Sequence, residues 1–372
     1  MSVAPVRHLR AQGSFLYKRS TYQHLTLVSA KGDVEEIPYD RVTEAFGAEN
    51  WPHLLHMLED GDVTLRKRVL TAMTAVFRLP QDLAMCLKHG ALEIVEHNIL
   101  DSDPDIAELG AHVFSVMLES AAGRSEVMKT NTVEHILPVF KESGSPSMMQ
   151  HLYDALISLT TSFIGAQVLT RHGYMFVVID HLKQSGISTD MRVQVLRLLR
   201  NLVNDGIEGT SYKAIDLECV ELSAKYLYDS SRELRVASCD TIAALVYVDK
   251  AKKIAVEKGV IKKLCTLLTD SHWQVAAASA GALMTLAVHD EAKRSIMACD
   301  GLQTINQLLQ SPKHLVQLNI VKLVAAMASH PAARKLLNVS STEYHLRSLM
   351  AEDDALLVRS ARIALHAVQW QP

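Results

Sequence analysis

Apolar residues recur along this chain with a period of about 42 residues. The positions 5, 7 and 11 residues after each recurring apolar anchor are also apolar or small almost throughout. A register of this kind predicts one long helix that recurs with every period. The eight anchors lie 41 to 43 residues apart, at Leu65, Ile106, Met148, Met191, Leu234, Val275, Val316 and Val358.

Two shorter helices are predicted before each long one. The middle helix follows a glycine, at which the preceding helix must stop and the backbone needs a left-handed conformation. These glycines are Gly90, Gly173, Gly259 and Gly301. Some long helices are predicted to begin at an N-cap residue that precedes a proline. These caps are Asp103, Ser145 and Ser311.

Three helices in about 42 residues is the armadillo arrangement. The sequence therefore predicts an all-α, right-handed α-solenoid of about eight armadillo-type three-helix repeats over residues 39–372. Alanines between Ala276 and Ala282, together with Gly281, are expected to let neighbouring long helices pack closely. The alternative, an alanine-rich helix in an ordinary bundle, does not explain eight units in register.

Charge separates the first residues from the rest. Residues 1–32 carry five basic residues and no acid, so this segment is +5, and the net charge of −3 leaves −8 for the remainder. A basic, extended N-terminal arm is predicted over residues 1–38. The acidic remainder argues against a nucleic-acid partner. The longest apolar run is about 14 residues, shorter than the roughly 20 that a membrane span requires, so no membrane partner is expected.

Candidate chemistry is sparse. The five cysteines are dispersed without a CxxC, so neither a disulfide framework nor a zinc site is predicted. His53 and His56 lie on one helix without a supporting second pair. The acids of "DSDPDIAELG" resemble a calcium loop but lack its glycine, and they are interpreted as a helix-capping turn. No nucleotide-binding or hydrolase motif occurs, so the protein is predicted to be neither an enzyme nor a cofactor carrier.

Binding of an extended peptide has a sharper signature. Armadillo proteins of the importin-α and β-catenin types place asparagines along the long helices, ten residues after the anchor in this register. Only Asn201 fits, and no tryptophan stands six residues after any anchor. A general peptide groove is therefore disfavoured. Docking of folded proteins is favoured, and an acidic surface such as tubulin is a hypothetical partner of the arm. The candidate partner-binding residues are Arg7, Arg10, Lys18, Arg19 and Asn201.

Three segments resemble the radial spoke head protein fourteen homologue family. They are "YDRVTEAFGAENWPHLLHMLED", the block from "SAGALMTLAVHDEAKR" to "PAARKLLN", and the ending "RSARIALHAVQWQP". The likeness covers nearly all of residues 39–372 and excludes the arm.

The resemblance implies a non-catalytic scaffold subunit of the axonemal radial spoke in motile cilia and flagella, in the cytoskeleton of the cytoplasm. Its partners would be long scaffold helices of the stalk and neighbouring spoke subunits, with the doublet microtubule surface as a hypothetical contact of the arm. The alternative is a soluble armadillo adaptor that binds peptides or cargo proteins in the cytoplasm or nucleus.

Overall fold

The computed structural model describes residues 50–60, 62–142, 144–204, 209–338 and 340–371. This part of the chain contains 24 α-helices and no strand, which confirms the all-α prediction. The described residues form two compact units, the first ending at His172 and the second beginning at Gly173. The predicted arm, with Arg7, Arg10, Lys18 and Arg19, lies outside the residues described, so the boundary between arm and repeats stays a prediction.

In the first unit, the long helix α5 packs beside the long helices α2 and α9. The shorter helices precede them in each repeat. The helices of this unit are α1 (Asn50–Asp60), α2 (Val63–Val76), α3 (Pro80–Lys88), α4 (Ala91–Ile99), α5 (Pro104–Glu119), α6 (Ala121–Val127), α7 (Thr132–His135), α8 (Leu137–Glu142), α9 (Pro146–Leu159) and α10 (Phe163–Arg171).

In the second unit, the long helices α12, α15, α18, α21 and α24 pack each against the next. The helices of this unit are α11 (Tyr174–Lys183), α12 (Thr189–Asn204), α13 (Thr210–Asp216), α14 (Cys219–Ala224), α15 (Arg232–Leu245), α16 (Asp249–Glu257), α17 (Val260–Leu267), α18 (Trp273–Leu286), α19 (Asp290–Ala298), α20 (Gly301–Leu308), α21 (His314–Met327), α22 (Pro331–Leu337), α23 (Ser340–Leu349) and α24 (Ala355–Gln369).

The predicted apolar register is the core of the repeats. In the six repeats whose anchors run from Ile106 to Val316, the anchor and the residues 5, 7 and 11 positions later are all buried. Burial of these side chains supplies the main favourable free energy of folding. The repeat pattern therefore predicted which side of each of these long helices faces the core.

The register of the last repeat differs from the prediction by one residue. Val358 is only half-buried and Ile363 is 54% exposed, whereas Leu357 is buried. The reason is the helix cap: Asp354 accepts a hydrogen bond from the Leu357 amide, three residues later. Ser231 caps Leu234 at the same spacing, so Leu357 is the equivalent anchor.

Two other local predictions are corrected. Gly90, Gly173 and Gly259 take the expected left-handed conformation, but at the fourth position Asp300 takes it and Gly301 is the first residue of α20. A Cβ on Gly301 would lie 2.8 Å from the Ile296 carbonyl oxygen, so this glycine permits close packing instead.

Two of the three predicted N-caps are confirmed and the third is wrong. Asp103 and Ser145 cap α5 and α9 as predicted. Ser311 does not cap a helix, because it stands two residues before the cap position Lys313 and accepts a hydrogen bond from the Lys313 amide.

Close packing occurs at the position four residues after the anchor. A Cβ on Gly110 would lie 2.9 Å from backbone atoms of Asn98 and Ile99 in α4. Ser238 and Ser279 occupy the same position and donate buried hydrogen bonds to carbonyl oxygens of the preceding middle helix. In these three repeats, a small residue thus lets the long helix approach its middle helix.

Five alanines of α18 were predicted to allow close packing. Those at positions 276, 277, 280 and 282 are buried as predicted, whereas Ala278 is only half-buried. The expectation for Gly281 is wrong. Its added Cβ would meet only the amide nitrogen of Asn319, at an ordinary contact distance of 3.5 Å.

Ion pairs join successive repeats. Arg66 pairs with Asp101 at 2.6 Å, and Arg235 donates to Asp270 through Nη2 at 3.1 Å. In both pairs the arginine follows an anchor directly, and the aspartate stands five residues before the next anchor. Each aspartate also accepts a backbone hydrogen bond within its own turn. The two pairs therefore link α2 and α15 to the turn that begins the next long helix.

Candidate functional site

The residues 3, 6 and 10 positions after each anchor share one side of the long helix, here called the ladder face, which lies about a quarter turn from the anchor. In the second unit most of these residues are exposed or half-buried, whereas Ala237, Ala244 and Ser360 are buried. In the second unit α12 carries Gln194, Arg197 and Asn201 at these positions. The other long helices carry mostly small residues there, namely Ala237, Asp240 and Ala244 in α15, Ala278, Gly281 and Thr285 in α18, Asn319, Lys322 and Ala326 in α21, and Ser360, Ile363 and Ala367 in α24.

A cavity of about 300 Å³ opens beside this polar line on α12. Its wall is formed by residues of three neighbouring long helices. The lining residues are Arg197 and Arg200 of α12, Arg232, Glu233, Val236, Ala237 and Asp240 of α15, and Gln274 of α18. Asn201 lies one helical turn after Arg197 on the same side of α12. The sequence-predicted Asn201 therefore lies next to the cavity.

The charges of the cavity are partly paired. Arg200 contacts Asp240 at 3.2 Å, and Arg232 donates to Glu233 through Nε at 2.9 Å. Arg197 is exposed and makes no hydrogen bond or ion pair of its own with any residue that the structure describes. Three arginines against two carboxylates give the lining a formal charge of +1.

The pKa values of the two carboxyl groups in the cavity are shifted in opposite directions. Burial raises the pKa of Asp240, and the positive charges of Arg200 and Arg197 only partly oppose this effect. A backbone hydrogen bond and the Arg232 side chain lower the pKa of Glu233. Both acids already contact a cavity arginine, Arg200 in the case of Asp240 and Arg232 in the case of Glu233. They therefore compete with any anionic ligand for the guanidinium groups.

The other sequence candidates do not form a site. His53 and His56 lie exposed on α1. Asp103 caps α5 by accepting from the Asp105 and Ile106 amides, which confirms the capping interpretation of this acidic turn. Across the ranges given above, no group of three or more histidine, cysteine or acidic side chains is arranged to hold a metal ion. Within the same ranges, no helix is both long and apolar enough to cross a membrane.

Sequence reasoning missed the line formed by Gln194, Arg197 and Asn201. The position six residues after the anchor was considered only as a place for tryptophan, and Arg197 stands there in α12. The signal was present as an amide, a guanidinium and an amide at spacings of three and four residues. Its significance depends on α15, which places Asp240 and Arg232 beside it.

Comparisons with known proteins establish the class of fold. No family model matches this chain. No curated protein matches it either. Among solved structures, an engineered protein is similar over 86% of this chain and 78% of its own, with a TM-score of 0.76 and 20% sequence identity.

Similarity to two designed proteins identifies the fold class. A designed armadillo repeat protein is similar over 59% of this chain and 94% of its own, with a TM-score of 0.53 and 21% identity. Another, in complex with the peptide (KR)4, is similar over 63% of this chain and 99% of its own, with a TM-score of 0.54 and 21% identity. This chain therefore has an armadillo-type repeat fold.

Proposed function

We propose that this protein is a non-catalytic scaffold that binds other proteins through its long helices. The observation that carries this proposal is the contrast between the buried register, which repeats, and the ladder face, which changes from one repeat to the next. A surface that recurs on stacked repeats offers many adjacent contact points to a partner. One designed protein of the same fold is in complex with a peptide, which supports binding as the use of this architecture.

More specifically, we propose a place in the axonemal radial spoke of motile cilia. The support is the resemblance of Tyr39–Asp60, Ser279–Asn338 and Arg359–Pro372 to the radial spoke head protein fourteen homologue family. In this role the repeats bind long scaffold helices and neighbouring spoke subunits. The basic arm, with its +5 charge, binds the acidic doublet microtubule surface.

The alternative is a soluble adaptor that binds a peptide segment of a cargo protein. The exposed guanidinium of Arg197 favours it, because a guanidinium suits an acidic side chain of a peptide, and Asn201 stands at the asparagine position of peptide-binding armadillo proteins. The two proposals share the ladder face. They differ in whether the protein stays attached to an axoneme.

Localisation separates the two proposals. The full chain, tagged and expressed in a cell with motile cilia, is expected to remain in axonemes after detergent extraction. Recovery in the soluble fraction alone would contradict the spoke proposal and leave the adaptor. A matched variant tests the arm, in which glutamine replaces Arg7, Arg10, Lys18 and Arg19. If this variant incorporates into axonemes as well as the parent, the arm is not part of the binding surface.

Site-specific photo-cross-linking tests the ladder face itself. A photoreactive amino acid at Lys322, on the ladder face of α21, is expected to form adducts with partner proteins in axonemes or in cell extract. The control is the same amino acid at Tyr344, which is 70% exposed on α23 away from this face. Adducts from position 344 without any from position 322 would place the binding surface elsewhere.

A further inference from the structure

The cavity between α12 and α15 has a charge that selects its ligand. It presents three guanidinium groups, of which Arg200 and Arg232 already contact acidic side chains. Arg197 has no acidic side chain within ion-pair distance among the residues described. The lining therefore has the capacity for one further carboxylate.

The exposed side chain of Arg197 suits a carboxylate. Gln194 stands three residues before it and Asn201 four residues after it, but both are only partly exposed and already have partners. A guanidinium only donates hydrogen bonds, and its planar fork matches the two oxygens of a carboxylate. Arg197 is therefore the accessible contact for an acidic side chain on this part of α12.

The adjoining helix leaves room for the peptide. The cavity wall on α15 includes the short side chains of Val236 and Ala237. Their small side chains allow a ligand backbone to approach the helix closely. Large side chains at these positions would separate the ligand from Arg197.

As a refinement of the proposed scaffold function, on which it depends, we infer that this cavity binds an aspartate or glutamate side chain of an extended partner segment. Arg197 is the principal contact and Arg200 and Arg232 support it. A basic segment is disfavoured by the same three guanidinium groups. A phosphate-rich nucleic acid is disfavoured by Asp240 and Glu233, which would lie against its charges.

Fluorescence anisotropy with three labelled octapeptides tests this inference on the full chain. The peptides alternate serine with aspartate, with asparagine or with lysine, so that the first two differ in charge and hardly in shape. The aspartate peptide is expected to bind most tightly, and its affinity is expected to fall as salt screens the charges. The asparagine peptide is expected to bind more weakly, and the lysine peptide weakest of all.

Variants assign the effect to the cavity. Arg197→Gln is expected to weaken the aspartate peptide about five- to tenfold, because a charge-assisted hydrogen bond at a partly exposed site is lost. The asparagine peptide is expected to be unaffected. Arg197→Lys keeps the charge without the planar fork and is expected to recover only part of the affinity. The matched control is Arg362→Gln on α24, an exposed arginine of another long helix that does not line the cavity.

Equal affinity for the aspartate and asparagine peptides, or equal loss from Arg197→Gln and Arg362→Gln, would overturn the inference. Failure of the inference is distinguishable from failure of the proposed function. If the aspartate peptide does not bind but partner adducts still form from position 322, the acidic ligand is wrong and the ladder face remains a binding surface. If the aspartate peptide does not bind and no adducts form from position 322, the proposed function fails as well.

Discussion

Helices α12 and α18 occupy equivalent positions in their repeats but carry different side chains on the ladder face. Both bury the anchor and the residues 5, 7 and 11 positions later. On the ladder face, α12 presents Gln194, Arg197 and Asn201, whereas α18 presents Ala278, Gly281 and Thr285. Buried positions are restricted by packing against neighbouring helices, while exposed positions tolerate almost any side chain. The comparison shows that one side of the long helix specifies the fold and the other is free to acquire binding chemistry.

The largest expected effect comes from placing a charge on the buried side of α18. Leu286 is fully buried, so Leu286→Asp leaves a carboxylate without a partner and is expected to cost more than about 4 kcal/mol of unfolding free energy. Ala278→Asp puts the same charge on the ladder face of the same helix and is expected to change stability by only about 0.5 kcal/mol. Urea denaturation followed by circular dichroism measures both. Comparable losses would contradict the division between the two sides.

A buried ion pair and a partly exposed one provide a second test of the difference between the two sides of the long helix. Arg235 and Asp270 are each 11% exposed, so Arg235→Met strands a buried carboxylate and is expected to cost about 3–5 kcal/mol. Arg200 and Asp240 pair in the lining of the cavity, and both side chains are more than a third exposed, so Arg200→Met is expected to cost less than about 1 kcal/mol. Thermal melts of the two variants at one salt concentration provide the measurement. A larger loss from Arg200→Met would assign the structural role to the cavity instead.

Two glycines test the distance between helices. Gly110→Ala is expected to cost about 1–3 kcal/mol, because the added methyl group meets the backbone of α4 at 2.9 Å. Gly281→Ala meets only a side-chain amide at 3.5 Å, and its gain in helix propensity is expected to stabilise by about 0.5–1 kcal/mol. Differential scanning calorimetry measures the two melting temperatures, which are expected to shift in opposite directions. Two losses of equal size would mean that α18 is packed as tightly at Gly281 as α5 is at Gly110.

Acidification is expected to have the smallest effect. Burial raises the pKa of Asp101 and Asp270, but hydrogen bonds from the backbone and from Arg66 or Arg235 outweigh it and hold each pKa below its ordinary value. The stability from these carboxylates is therefore complete at neutral pH. It begins to fall as the pH drops below about 4, where the unfolded chain takes up protons first, and is lost as the pH passes through the lowered folded pKa.

Melting temperatures between pH 7 and pH 3 measure this dependence. The double variant Asp101→Asn with Asp270→Asn is expected to be less stable at neutral pH and to decline less steeply in acid. A decline as steep as that of the parent would assign the acid sensitivity to other carboxyl groups.

The sequence predicted the buried side of the long helices well, because apolar spacing alone determines which residues face the core. It misplaced Val358 because spacing does not show where a helix begins. That depends on the Asp354 cap, whose carboxylate satisfies an otherwise unpaired amide. It placed Gly281 in a tight contact because composition cannot distinguish a small residue that packs from one that is merely exposed.

The candidate site was only half predictable. The position of Asn201 follows from the register of a single helix, and so does that of Arg197. The cavity does not, because it requires side chains from α15 and α18 to meet those of α12. Contacts between repeats depend on how the helices pack, and no local pattern in the sequence records them.

Two junctions of the second unit begin a middle helix without glycine. Glu218 and Asp300 take the left-handed conformation there, with φ of 63° and 53°. A side chain in that conformation costs about 1–2 kcal/mol relative to glycine. Amide protons of α14 and α20 should consequently exchange with solvent sooner than those of α11 and α17, which follow Gly173 and Gly259. Under heat or mechanical load, the stack should open at these two joints first.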